Sequence, residues 1–289
     1  MIISINGSIL SEQEAVIPAT DHGFLYGMGL FETFRTYNGR PFLLEEHMAR
    51  LESGCEELGI RWRRPSHEQA VLHIQRMLEC AGIADGYVRW SVSAGTAPLG
   101  LPLEEYAEPL DIVYVKPLPA PSEGLYRHGR ALQKLRLTRS GLETGTFRLK
   151  SFHYMNNIMG KRELASYEWL AGAEGLFLTP EGWLCEGLVS NLFFVKEGTL
   201  CTPHLDTGAL PGITRAFVLQ LAEQARLACS EHFYTWDELM LADEVFVTNS
   251  VQEIVPITTL LDETGLQKRI SAEAGPITRQ LIDLYRKFT

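Results

Sequence analysis

Two strand-turn-strand signals follow one another in the second half of the chain, and they constrain its fold more than any other feature. "EGLFLTPEGWLCEG" runs from Glu174 to Gly187 and turns at Pro180-Glu181-Gly182. "SNLFFVKEGTLCTP" runs from Ser190 to Pro203 and turns at Glu197-Gly198. Apolar runs of this length, punctuated by glycine and proline, read as β-hairpins and not as helices. A third strand, polar break and strand follows in "DEVFVTNSVQEIVPI". Helical spacing marks three further segments of this half. One spans 154–171, with Met155, Ile158, Met159, Ala165 and Trp169 on one stripe. A second is "GITRAFVLQLAEQARL", opening at Thr214, and a third covers about 271–287.

The first half is built differently. Ile2 to Ile5 and Ser8 to Leu10 flank Asn6-Gly7, a strong hairpin dipeptide. In the extended stretch that follows, Phe31, Thr33 and Arg35 share one face and Glu32, Phe34 and Thr36 the other. Asn38-Gly39 turns the chain back. Helices are expected at 45–59, closed by Gly59, and at 66–81, with Val71, Ile74, Met77 and Leu78 inward; strands are expected at 86–94 and 110–116. Three prolines and a glycine in "PLPAPSEG", residues 117–124, cannot continue a helix or a central strand. The expected domains are therefore 1–117 and 125–289, joined by a linker at 118–124, in an α/β (α+β) arrangement of layers.

Composition excludes several classes. The net charge of −10 over 289 residues disfavours nucleic acid, which is met by a basic face. Five cysteines, with no C-x-x-C pair, form neither a disulfide framework nor a metal site. The N-terminus "MIISINGSIL" lacks the basic and apolar regions of a signal peptide, and no segment approaches ~18 consecutive apolar residues. The expectation is a soluble, cytoplasmic protein with no metal, nucleic-acid or membrane partner.

Several polar residues interrupt apolar surroundings. Lys150, in "TFRLKSFHYMNN", is either a solvated strand-end lysine or a side chain reaching into a cleft. Glu186 is either a turn carboxylate or a functional acid. Gly212-Ile213-Thr214 reads as a helix N-cap, and equally as a phosphate cradle, because a helix start offers unbonded donors and a positive dipole end. Thr248-Asn249-Ser250 reads as a bulge or as a donor-rich turn. Arg50 lies on the first helix, where most arginines are solvated or paired. Together these residues supply a lysine nucleophile, a carboxylate, two donor-rich turns and an arginine, which is the inventory that holds pyridoxal phosphate.

The sequence resembles the fold-type IV pyridoxal-phosphate enzymes, which include branched-chain and D-amino-acid aminotransferases and aminodeoxychorismate lyases. The resemblance covers nearly the whole chain, through "DHGFLYGMGLFET", "HMARL", "RLKSFHYMNN", "EGLVSNLFF", "LPGIT" and "TNSVQEIVPI" in that order. It implies a two-domain fold, with a small N-terminal α/β domain and a larger C-terminal pseudo-barrel, and a homodimer. By the same resemblance Lys150 carries the cofactor and Glu186 pairs with its ring nitrogen. Arg50, Ile213, Thr214, Asn249 and Ser250 hold the phosphate, and Tyr154 lies near the 3-hydroxyl. The chemistry suits these residue types. A lysine attacks a carbonyl only as the free amine, and a phosphate dianion suits an arginine with clustered donors.

Within the family, "DHGFLYGMGLFETFR" and "FRLKSFHYMNN" look most like aminodeoxychorismate lyases of the Gram-positive type. These convert 4-amino-4-deoxychorismate to 4-aminobenzoate and pyruvate, a step toward folate. The D-amino-acid branch carries an arginine and a histidine in the loop after Gly-Thr; here, in "AGTAPLGLP", those positions are Leu99 and Leu101. That branch also has a tyrosine where this chain has Phe31. An aminotransferase of the branched-chain or D-amino-acid kind is the alternative, and a non-catalytic cofactor-binding module is a remote one. Thr33, Arg35, Arg89 and Arg148 are candidates for the substrate side, and each arginine is equally plausible as a structural ion pair.

Overall fold

The computed structural model describes residues 1–118, 123–141, 148–167 and 172–289. The chain divides into two compact units, Met1–Ala120 with Leu149–His153, and Pro121–Arg148 with Tyr154–Thr289. The short segment carrying Lys150 thus clusters with the first unit, whereas the sequence reading placed it in the C-terminal domain. Most of the expected linker, and the approach to Lys150 through Thr146 and Phe147, lie outside the described residues.

The first unit is an antiparallel sheet of six strands. The order is Ser8–Leu10, Ile2–Ile5, Leu110–Pro117, Gly86–Ser93, Gly29–Tyr37, Arg40–Pro41. The helices Leu44–Glu57 and His67–Ala81 pack on one face. Ser66 caps the second of these with a reciprocal Ser66/Gln69 capping box, which satisfies donors at the helix start. Phe34, Met48, Leu51, Ile74, Met77 and Val88 fill the layer between sheet and helices. Each such side chain contributes about 1.5–3 kcal/mol by leaving water.

Alternation along Gly29–Tyr37 sends Leu30 and Phe34 to this core and leaves Thr33, Arg35 and Tyr37 half-exposed. The opposite face of the sheet is aromatic and cationic. Arg35 lies over Tyr37, Lys116 over Tyr87, and Arg89 over Phe31.

The second unit is a sheet of nine strands that closes on itself. Asn191–Lys196, Glu244–Asn249, Glu253–Leu261, Arg130–Lys134, Glu174–Leu178 and Leu184–Gly187 are neighbours in turn, and the last pairs back to the first. The closing pair is Asn191 with Glu186. Closure leaves these six strands without an open edge among themselves; Glu174–Leu178 and Leu184–Gly187 are buried throughout, and Asn191–Lys196 and Glu244–Asn249 at all but their last residue. Both expected hairpins form, at Pro180–Gly182 and at Glu197-Gly198.

Three expectations need correction. Thr214 does not cap its helix: Gly212 is the N-cap of Ile213–Gln224, and no side chain bonds the helix start. The last helix is Pro276–Tyr285, later than expected, because the remote carboxylate of buried Glu244 accepts the Ile277 and Thr278 N–H groups and the Thr278 hydroxyl. The helix after Lys150 spans Met155–Ser166 and buries Asn157, Gly160 and Leu164. Met155 is 78 % exposed, and Ile158 and Met159 also face out. The expected apolar stripe is therefore the outer face. The inner face is dictated by Gly160, where a Cβ would lie 2.6 Å from Phe177, and by the bonds of Asn157. Trp169 lies outside the described residues. No helix among the described residues is long and apolar enough to cross a membrane.

Candidate active site

Lys150 sits on a short edge addition to the first sheet. The Phe31 N–H donates to the Lys150 carbonyl at 2.9 Å, the Phe152 N–H donates to the Gly29 carbonyl at 3.0 Å, and Leu30 bridges Ser151. Leu149 joins the core, so alternation turns Lys150 to the other face, where its Nζ lies 4.6 Å from the centre of the Phe31 ring. The Arg89 guanidinium lies 3.6 Å from the same ring.

The glycines of "DHGFLYGMGLF" make room for this segment. A Cβ on Gly29 would run into Phe152, one on Gly27 (φ +73°) into His153, and one on Gly23 chiefly into Ser93. Gly27 also needs the left-handed conformation that closes the helix His22–Tyr26.

Arg50 is held on the buried face of the same strand. Its Nε donates to Glu32 Oε1 and its Nη2 to Glu32 Oε2, each at 2.7 Å, and His47 Nδ1 meets Oε2 at 2.6 Å. Glu32 and His47 are both buried. Burial is the largest single influence on Glu32 and pushes its pKa up. The Arg50 charge and the His47 hydrogen bond together outweigh it and hold the carboxyl down at about 2. Burial pushes His47 below the ordinary imidazole range, against the pull of Glu32.

A carboxyl depressed on folding stabilises the fold above its unfolded pKa of 4.5 and loses that contribution as pH falls toward about 2. The contribution is about 3 kcal/mol. Wild type is expected to lose stability in acid more steeply than Glu32→Gln between about pH 5 and pH 2. Parallel slopes in denaturant titrations over that window would show that Glu32 carries no such linkage.

Glu186 closes the barrel of the second unit and is buried. Its Oε1 takes the Arg139 guanidinium and lies 3.3 Å from Arg148 Nη1, and its Oε2 accepts the Leu210 N–H at 2.9 Å. Arg148 has its pKa lowered by burial, against the pull of Glu186, and Tyr154 is among the groups acting on it. Arg148 is thus an ion-pair partner of Glu186, the structural alternative left open by the sequence.

The two donor-rich turns meet in the same unit. Thr214 Oγ1 and Ser250 Oγ are 3.1 Å apart. Thr214 lies in the first turn of Ile213–Gln224, whose start is uncapped by any side chain. Asn249 has a different part: its Oδ1 accepts the Val251 and Gln252 N–H groups, so its carboxamide shapes the turn that presents Ser250. Two hydroxyls beside an uncapped helix start form a donor set that fits a phosphate. With the buried carboxylate of the second unit and the sheet-edge lysine of the first, the chain holds each residue type that pyridoxal phosphate requires.

Sequence reasoning missed Glu32 and His47, although His47 and Arg50 stand at i, i+3 on one helix and Glu32 is a carboxylate on an otherwise apolar strand face. It also missed Arg139, for which "LTRSG" carries no signal. Thr33 pairs with Arg89 across the sheet, and Arg35 stacks on Tyr37, so the expected substrate-side residues of the first unit share its aromatic, cationic face.

Comparison with known proteins identifies the family and its cofactor. The chain is 38 % identical over 288 residues to the aminodeoxychorismate lyase of Bacillus subtilis (strain 168), covering 99 % of this chain and 94 % of the relative. It superposes on the crystal structure of 4-amino-4-deoxychorismate lyase from Pseudomonas aeruginosa with a TM-score of 0.81 at 30 % identity, covering 99 % and 98 % of the two chains. It also superposes on the T.th. branched-chain amino acid aminotransferase with pyridoxamine 5'-phosphate, with a TM-score of 0.84 at 26 % identity, covering 99 % and 93 %. The amino-transferase class IV model matches residues 29–260, and the chain belongs to that family of pyridoxal-phosphate-dependent enzymes.

Proposed function

We propose that this enzyme is an aminodeoxychorismate lyase, converting 4-amino-4-deoxychorismate to 4-aminobenzoate and pyruvate. The observation that carries the reading is the 38 % identity to the Bacillus subtilis lyase across the whole chain. The loop after Gly95-Thr96 supports it, because Leu99 and Leu101 offer neither charge nor hydrogen bonds to an amino-acid carboxylate. An aminotransferase is the second reading, favoured by the likeness to the branched-chain enzyme solved with pyridoxamine 5'-phosphate, since fold and cofactor do not by themselves determine the substrate.

When bound, pyridoxal phosphate supplies an aldehyde for an amine and a ring that draws electrons from the carbon bearing it. Lys150 is the residue to which it would attach. As a free amine, Lys150 would take the proton from the amine-bearing carbon of the substrate. Glu186 would pair its carboxylate with the ring nitrogen, and Tyr154 would offer its hydroxyl to the 3-oxygen. Thr214, Ser250 and the Ile213 amide would hold the phosphate; Arg50, whose guanidinium is oriented by Glu32, would supply a cation for it. Arg35 and Arg89 present cationic groups to the two carboxylates of the substrate, beside Thr33. The ring C–O bond would break with its electron pair going to the oxygen, so that the enolpyruvyl group leaves as the enolate of pyruvate and is protonated to pyruvate; aromatisation of the ring left behind drives that loss.

Incubation with 4-amino-4-deoxychorismate is expected to yield pyruvate and 4-aminobenzoate, with little transamination in a panel of amino and keto acids. Transamination without pyruvate release would reverse the order of the two readings.

Assembly as a homodimer belongs to the same reading. Leu99 is 76 % and Leu101 88 % exposed, with Leu103 and Phe24 also exposed in that unit, an apolar display that a partner surface accounts for. Light scattering at low micromolar concentration is expected to give twice the mass of the chain. An active monomer would overturn it.

A further inference from the structure

We propose that Arg139 is the positioning residue for Glu186, a role that rests on the reading of Glu186 above and goes beyond it. The Arg139 side chain is nearly sealed from solvent, at 3 % exposure. Its backbone N–H is tied to the Leu178 carbonyl at 2.8 Å. Its Nη1 donates to Asn156 Oδ1 at 2.8 Å and Asn157 Oδ1 at 3.2 Å, and its Nη2 donates to Glu186 Oε1. The guanidinium carbon lies 4.8 Å from the centre of the Phe177 ring.

The asparagines are themselves anchored. Asn157 Nδ2 donates to the Leu188 carbonyl at 2.6 Å and Asn156 Nδ2 to the Thr138 carbonyl at 3.1 Å. This accounts for the paired asparagines that end "KSFHYMNN". They fix a guanidinium in one plane, and the guanidinium fixes one oxygen of the carboxylate. Leu210 holds the other oxygen with a single backbone N–H, so Oε2 keeps acceptor capacity on one defined side.

Arg148 does not duplicate the role. Its side chain is 18 % exposed and meets Glu186 at the longer distance of 3.3 Å. It balances charge, whereas Arg139 sets orientation. Rigid outer contacts of this kind are what hold a reacting constellation within a fraction of an ångström of its working geometry.

The test compares holoenzymes of wild type, Arg139→Lys, Asn156→Ala and Glu186→Gln. The visible band of bound pyridoxal phosphate is titrated against pH, alongside kcat, KM and thermal stability. Arg139→Lys keeps the charge but loses the planar fork. It is expected to move the band's pH midpoint by about one unit and to lower kcat about 10²-fold, with KM changed less than about threefold. Asn156→Ala, which removes one anchor and leaves the arginine, is expected to shift both readouts in the same direction by less. It keeps the proposal testable where the lysine variant does not fold.

Variants that lose thermal stability while the band midpoint and kcat stay within about twofold of wild type would reduce Arg139 to a structural ion pair and overturn the proposal. A Glu186→Gln enzyme with an unmoved band would overturn the Glu186 reading and this one with it. A moved band in Glu186→Gln, beside unmoved bands in the other two variants, would overturn this one alone.

Discussion

Lys150→Ala is expected to lower turnover by roughly 10³-fold or more, because in the proposed function one side chain would supply both the attachment of the cofactor and the proton acceptor. The fold is expected to survive. Lys150 ties its segment to the sheet through its backbone carbonyl, which accepts from Phe31, and alanine keeps that bond. Thermal stability close to wild type is therefore part of the expectation. In the wild-type protein, borohydride reduction followed by peptide mapping is expected to place the cofactor adduct on Lys150. An adduct on Lys161 or Lys134 would sink the assignment.

Glu186→Gln is expected to retain the phosphate anchors and lose about 10²–10³-fold in kcat, the loss that follows removal of a preorganised charge in a water-excluded site. Thr214 and Ser250, the proposed phosphate contacts, are untouched by the change, so cofactor is expected to remain bound, with an altered visible spectrum. The substitution also leaves two guanidiniums, Arg139 and Arg148, facing a neutral amide. Unpairing buried charge costs stability, by about 1–3 kcal/mol on the scale of an unsatisfied buried group. Turnover near wild type with an unchanged spectrum would place Glu186 elsewhere in the chemistry.

The features legible in the sequence share a cause: each is local. The hairpins at Pro180–Gly182 and Glu197-Gly198 follow from turn chemistry that acts over a few residues. The helices Leu44–Glu57 and His67–Ala81 follow from apolar spacing, and the structure adds a Ser66/Gln69 capping box to the second. Lys150, Glu186, Thr214 and Ser250 stood out because each interrupts an apolar context, and the juxtaposition of Thr214 with Ser250 confirms that two separate donor-rich turns meet.

Periodicity failed where a polar partner outweighed it. The helix Met155–Ser166 turns its methionines outward because Asn157 is needed inside by Arg139 and because only Gly160 admits Phe177 and Leu188. Asn249 has the composition of a ligand-binding residue, yet its carboxamide is spent on its own turn. The start of the last helix depends on Glu244, a residue far away in the chain that no local signal connects to Thr278.

By itself, then, the sequence determined the longer hairpins and helices, the family resemblance, and the lysine, carboxylate and donor turns that the resemblance assigns to the cofactor. Only the tertiary structure decided that Arg50 is oriented by Glu32 and His47, that Arg148 is an ion-pair partner of Glu186, and that Arg139 stands behind that carboxylate. Charged and polar side chains buried away from water must find partners, and those partners are supplied by chain closure over long separations. Spacing along the sequence records local geometry and carries no mark of which distant group will satisfy a buried charge.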